Sequence, residues 1–317
     1  MFEVAKKLSA KGIIGMNRRN IGYIGKYNSR KLYPLVDDKL KTKIIAEEAG
    51  ITVPKLLGTI EYQFQNNEKY LKKIIGDLSG FVIKPSKGSG GKGILVITGR
   101  EGDTFFRPSG QPASFQDVVR HISNTLSGLY SLGGKPDIAM VEALVEFDPV
   151  FDRYSFEGVP DIRMIVFKGF PVMGMLRCST RASDGKANLH QGAVGVGLDI
   201  GSGTALNAVQ FDKPIDAHPD TKHSFKELAV PHWDDLLPLS ASCYDITNLG
   251  YLGVDIVLDK KIGPMILELN ARPGLAIQIA NNCGLLPRLK KIEALQDEKR
   301  SVEQRIEYSV REFGVVN

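Results

Sequence analysis

The sequence predicts an α+β protein, and three observations make that prediction. Residues 81–97 read as strand, glycine loop, strand: an apolar run ends in Lys84, glycines stand at 88, 90, 91 and 93, and a β-branched run follows. Residues 253–274 read as a second pair of strands, carrying Asp255, Glu268 and Asn270. Helical periodicity over residues 37–50 and 114–132 supplies the other half of the class.

The glycine loop is the first chemical element. Glycines let a backbone approach a ligand and turn its N–H groups inward, and Lys84, Lys87 and Lys92 add positive charge, so a polyphosphate is the natural guest. The spacing of Gly88, Gly90 and Gly93 satisfies the dinucleotide fingerprint, but that motif needs a helix after the loop, and residues 94–97 read as a strand. A Walker loop needs Ser or Thr after its lysine, and neither the kinase His-Arg-Asp nor the Asp-Phe-Gly triplet occurs. A hairpin flap over nucleotide phosphates remains, against a plain glycine-rich surface hairpin.

Composition sets the outer bounds. With 317 residues the chain can hold one large or two medium domains. A formal charge of +5 suits an anionic ligand or a solvated surface, and no run of like charges marks a nucleic-acid arm. Cys178, Cys243 and Cys283 form no Cys-x-x-Cys pair, which points to a reducing cytoplasm. No apolar stretch is long enough to cross a bilayer, and the first residues lack a signal-peptide core.

Taken in order, residues 1–38 show little apolar periodicity; Met16 to Asn20 and Asn28 to Lys31 could hold a carboxylate or phosphate, or form a solvated basic arm. The helix over 37–50 places Leu40, Ile44 and Ile45 on one face and stops at Gly50. Lys39 in its first turn calls for something anionic nearby. A strand follows from Ile51, then a helix over 67–80. The helix over 114–132 has Val118, Val119, Ile122, Leu126 and Leu129 at core spacing, and residues 138–146 form a buried strand whose Glu142 and Glu146 need partners.

Residues 161–177 read as an antiparallel pair with Asp161, Arg163 and Arg177 set in apolar runs, charges most simply explained as structural salt bridges. Residues 187–197 are a glycine-studded loop, residues 212–239 a surface excursion with His218, His223 and His232 at no metal spacing, and a helix resumes at 238–249. In the second hairpin, Glu268 and Asn270 project together, and an antiparallel partner can set Asp255 beside them. Three oxygen ligands on one sheet face suit Mg²⁺, provided counter-ions stabilise the buried carboxylates. From Leu286 onward the chain reads as helical near heptad positions, either docked or forming a homodimer seam.

A strand lysine before a glycine flap, followed far downstream by Asp and then by Glu-x-Asn with Pro-Gly soon after, resembles the ATP-grasp superfamily. More closely, it resembles the ribosomal-protein glutamate ligases and their alpha-L-glutamate ligase-like relatives, over residues 38–284. The resemblance implies an ATP-grasp fold, two α+β subdomains clasping ATP after a truncated N-terminal pre-grasp segment. Its divisions would be a short segment at 1–38, a lid subdomain with the flap at 39–138, a metal-bearing subdomain at 139–286 and a C-terminal helix at 287–317.

The same resemblance implies the roles. Lys39 and Lys84 would bind the α- and β-phosphates, and Ser86, Lys87, Gly88, Ser89, Gly90, Gly91, Lys92 and Gly93 would close over them. Glu142, Ala143 and Leu144 would meet adenine, and Asp161 the ribose. Arg177, with Arg181 as the alternative, would stabilise the transferred phosphoryl, while Lys186 and Asn188 approach the phosphates. Asp255, Glu268 and Asn270 would ligate Mg²⁺, with Mn²⁺ as a substitute, and Arg272 would lie beside the acyl acceptor. The implied enzyme is an ATP-dependent carboxylate-amine ligase acting through an acylphosphate. Its partners would be a small carboxylate and an amine acceptor such as an amino acid or peptide, with no nucleic acid. A phosphotransferase with a hydroxyl acceptor and a non-catalytic nucleotide-binding protein are the alternatives.

Overall fold

The structure, a computed structural model, describes residues 2–88, 90–131, 133–296 and 298–315. The chain divides into two compact units. The smaller comprises Asp38–Ile44 and Val53–Glu146; the larger comprises the residues up to Asp37, Ile45–Thr52 and those from Phe147 onward.

The smaller unit is built on an antiparallel sheet in the order Leu56–Ile60, Ala139–Ala143, Phe81–Pro85, Leu95–Ile97. Phe81 pairs with Ile97 and Ile83 with Leu95, so the glycine-bearing hairpin forms in the expected register. Helices Glu68–Ile75 and Phe115–Leu126 close one side of the sheet, burying Leu71, Ile75, Val118, Ile122 and Leu126 against Phe81, Ile83, Ile97 and Val141. A second sheet of short strands, Gly99–Glu101, Thr104–Phe106 and Pro112–Ser114, adds Phe105, which meets Phe81 and Phe115 edge to face.

Local chemistry fixes the ends of these helices. Ser114 caps the second one in a capping box with Asp117, and Asn67 caps the first by accepting from the Tyr70 N–H. The second helix stops at Leu126, short of the expected 132, because Gly128 takes a φ of 85°. Leu129 is therefore 65% exposed rather than in the core. The first strand starts at Leu56, not at Ile51.

The larger unit carries an antiparallel sheet of seven strands. Their order is Lys213–Ile215, Ala205–Gln210, Val194–Leu198, Phe170–Cys178, Asp161–Phe167, Tyr251–Asp259 and Gly263–Asn270. All nine residues of Tyr251–Asp259 are buried. Lys168 and Gly169, both at positive φ, make the tight turn between the two strands that carry Asp161 and Arg177.

Helix Trp233–Thr247 starts five residues before the expected 238, with Pro238 inside it. Trp233 anchors it by donating to the Ile200 carbonyl at 2.9 Å. The expected continuous C-terminal helix is two, Leu286–Glu293 and Val302–Phe313. The second docks on its own unit: Arg305 bonds Asp245 at 2.5 Å, and Tyr308 meets Phe170 at 5.4 Å. The expected surface excursion is also partly interior, since His218, Phe225, Leu228 and Val230 are buried.

The N-terminal segment is folded rather than a solvated arm. Asn28 donates to the carbonyls of Tyr251 and Ala271 and accepts from the Tyr251 N–H, which completes the edges that the chain would otherwise leave open. Tyr23 and Tyr27 pack edge-on against Phe167. Among the described residues no helix is long and apolar enough to cross a membrane.

Candidate functional site

In the smaller unit, three lysines gather around the start of the glycine loop. Lys39, in the first turn of helix Lys39–Glu48, donates from Nζ to the Gly88 carbonyl at 2.7 Å, and its backbone N–H bonds Ser86 O at 2.8 Å. Lys84, at the end of its strand, pairs with Glu142 at 2.7 Å, and Lys43 reaches the other oxygen of the same carboxylate at 2.9 Å. All three members of this triad are buried. Lys43 also donates to the Pro54 carbonyl. Glu142 thereby obtains the partners that its burial demands.

Lys43 was not legible as a site residue. The periodicity put Ile44 on the apolar face, whereas Ile44 is 43% exposed and Lys43 and Thr42 are inside. The only available signal was one helical turn of spacing from Lys39.

The loop itself is held at both ends. Ser86 is fully buried and donates to Asp38, which also caps the helix that begins with Lys39. The Lys87 N–H is bonded by Asp137, whose carboxylate accepts from Ser131 as well. At the far end, Gly93 lies against the Tyr130 ring, and His121 Nε2 meets its carbonyl at 2.9 Å. A carbonyl only accepts, so that nitrogen carries the proton. Between these anchors Gly90 and Gly91 take φ of 63° and 74°, and Lys92 is exposed. Ser89 lies outside the described residues. Ala143 and Leu144 follow Glu142, half-buried.

In the larger unit, strand register places a row of charges on one sheet face. Arg177 stands opposite Asp161, Arg163 opposite Asp255, and Asp255 opposite Glu268, with Asn270 two residues further along. Arg163 grips both oxygens of Asp255, Arg177 grips both of Asp161, and Arg177 also reaches Asp255 at 3.0 Å. Asn270 Nδ2 donates to Asp255 at 3.3 Å. Gly253 keeps the row open, because a Cβ there would press on Pro273 and approach Arg163.

The electrostatics follow from this alternation. Burial pushes the Asp161 carboxyl above its ordinary value, and Arg177 offsets only part of that. Asp255 is as deeply buried, but Arg163 and Arg177 together outweigh burial and hold it below the usual carboxylate range. Burial opposes the charge on Arg177, yet Asp161 and Asp255 raise its pKa well above the usual arginine value. Asp255 is therefore kept ionised and oriented.

Among the described residues no group of three or more His, Cys, Asp and Glu side chains is placed to hold a metal. Asp255, Glu268 and the amide oxygen of Asn270 form a hard-oxygen set from facing strands. Mg²⁺ typically takes one or two carboxylates and completes its shell with water and phosphate oxygens, so this set fits it.

The other expected residues have contacts of their own. Lys186 and Asn188 lie in the loop after Arg181, with Lys186 pairing Asp184 at 3.3 Å and Asn188 capping the turn at Leu189. Arg181 lies over the Phe156 ring. Arg272 is exposed, over the Tyr33 ring and 3.9 Å from Asp37.

A protein-family model described as sugar-transfer associated ATP-grasp matches residues 18–294. The chain belongs to this ATP-grasp family. No curated protein sequence matches it. Among solved structures, the ATP-grasp ligase PsnB complexed with a minimal precursor is 13% identical with a TM-score of 0.47, covering 84% of this chain and 62% of its own. D-alanine–D-alanine ligase from Bacillus anthracis is 15% identical, TM-score 0.45, covering 88% and 69%. D-cycloserine synthetase DcsG is 14% identical, TM-score 0.44, covering 83% and 73%. The ATP-grasp chain described here thus spans less than two thirds of PsnB.

Proposed function

We propose that the chain is an ATP-dependent carboxylate-amine ligase, with glutamate as the first amine to test. The observation that carries this reading is the pairing of Asp255 with Glu268 across the strands, with Arg163 and Arg177 holding Asp255 ionised. Lys39 and Lys84 would take the α- and β-phosphates, the loop over 86–93 would cover them, and the segment at Glu142, Ala143 and Leu144 would meet adenine.

Asp161 would hold the ribose while its carboxylate, paired with Arg177 through both oxygens, also orients that arginine. Arg177 would then face the phosphoryl group in transfer, with Lys186 and Asn188 nearby and Arg272 beside the acceptor. Mg²⁺ bound by Asp255, Glu268 and Asn270 would neutralise phosphate oxygens. A substrate carboxylate oxygen attacks the γ-phosphorus, ADP leaves, and an amine displaces phosphate from the acylphosphate to give an amide. A covered loop matters because water would otherwise consume that intermediate.

The reading is tested by screening small acids against amines for ADP release and weighing the product. Release that needs both substrates, with an amide product, supports it. A phosphorylated product formed without an amine would assign the protein to the phosphotransferases instead.

A further inference from the structure

The charge of this protein is unevenly placed. Eight of its 41 lysines and arginines, but one of its 36 acidic residues, fall in the first 36 positions. That segment therefore carries seven net positive charges, and the other 281 residues, with 33 basic and 35 acidic side chains, carry two net negative ones. Lys6, Lys7, Lys11, Arg18, Arg30 and Lys31 are all exposed.

Exposed apolar side chains sit among them. Leu8 is 47% exposed, Met16 68% and Ile21 78%. The segment is nevertheless rigidly seated on its own unit: Gln278 bonds both the N–H and the carbonyl of Ile14, Arg19 donates to Pro273 O at 2.8 Å, and Leu286 N–H bonds Gly12 O at 3.1 Å. A π-helical turn over Arg19–Ile24 sets Tyr23 and Ile24 inward and leaves Ile21 outward. Three large exposed apolar side chains thus stand in a strongly basic segment anchored through Gly12, Ile14 and Arg19.

We infer that this segment is a docking surface for an anionic lipid bilayer. Lysines and arginines near a membrane are attracted to anionic headgroups, and exposed aliphatic side chains gain by entering the acyl boundary. A nucleic acid is the poorer partner. It would gain nothing from Met16 and Ile21, and the three tyrosines of the segment are each engaged by the protein itself: Tyr23 is buried, Tyr27 bonds Glu293 at 2.5 Å, and Tyr33 lies under Arg272. The contact is superficial, consistent with the absence of a spanning helix among the described residues.

The test is co-sedimentation of the whole chain with vesicles of phosphatidylcholine alone and of an equal mixture with phosphatidylglycerol. The protein should pellet with the mixed vesicles, not the neutral ones, and be released as salt screens the attraction. Arg18→Glu, Arg30→Glu and Lys31→Glu together should lower partitioning at least about tenfold. Met16→Ser with Ile21→Ser should lower it several-fold, while thermal melts of both variants stay near wild type. Equal binding to both vesicles, no binding to either, undiminished binding by the charge-reversed variant, or binding to an RNA oligonucleotide but not to vesicles would each overturn the inference.

Discussion

Asp255 and Glu268 are direct partners across two antiparallel strands, and Asp255 is gripped by two arginines. Asp255 is buried and Glu268 half-buried. Asp255→Asn and Glu268→Ala should each lower ATP turnover on the order of 10²-fold or more. Asp255→Asn should also destabilise the fold, because it leaves Arg163 and Arg177 short of a counter-charge. Steady-state ADP release and thermal melting on the same samples separate the two effects.

Arg163 acts through Asp255. A lysine there keeps the charge and loses the two-pronged grip. Arg163→Lys should weaken apparent Mg²⁺ affinity by about 10- to 100-fold. A Mg²⁺ titration of ATP turnover reads this directly, and an unchanged half-saturation point would refute it.

In the smaller unit, Glu142 pairs with both Lys43 and Lys84. Glu142→Ala leaves two buried ammonium groups without their carboxylate, and should cost about 3–5 kcal/mol of stability. Urea denaturation measures it. Lys84→Met, which removes a cation and leaves Glu142 paired with Lys43, should cost less stability but more nucleotide affinity.

The parts of this arrangement legible in the sequence were those written locally. The hairpin around the glycine loop, the tight turn after Phe167 and the Glu-x-Asn strand follow from period-two patterning and turn residues. The long-range partners were not legible: nothing near Arg163 in sequence names Asp255, 92 positions away. Lys43 was hidden because helical periodicity marks apolar faces, and here a lysine was buried through pairing. The first 38 residues looked unstructured for a similar reason, since Asn28 and Gln278 seat them by amide hydrogen bonds rather than by an apolar stripe.

The middle and the far end of the glycine loop should respond differently to substitution. A Cβ at Gly90 meets open space, and its φ of 63° makes Gly90→Ala cost about 1 kcal/mol. A Cβ at Gly93 would run into the Tyr130 ring at a φ of 76°. Gly93→Ala should therefore displace the loop end and weaken ATP binding far more than Gly90→Ala, as calorimetric titration of both variants would show.

The burial of His121 makes folding stability depend on pH. Burial lowers its pKa in the folded protein below the ordinary value of about 6.5, so over the interval between them the unfolded chain binds more protons. The stability tied to burying the neutral imidazole is complete above that ordinary value and is lost as pH falls toward the folded one, whereas the donation from Nε2–H to the Gly93 carbonyl survives protonation. His121→Gln should flatten the slope of stability against pH in that interval, measured by urea midpoints across it.

The most direct test is calorimetric titration of ATP into the wild-type chain with and without Mg²⁺, repeated on Lys84→Met and Glu268→Ala. The account predicts binding to wild type that strengthens with Mg²⁺, a large loss of affinity in Lys84→Met, and loss of the Mg²⁺ enhancement in Glu268→Ala. Wild-type protein that ignores ATP, or two variants that bind MgATP as wild type does, would contradict it.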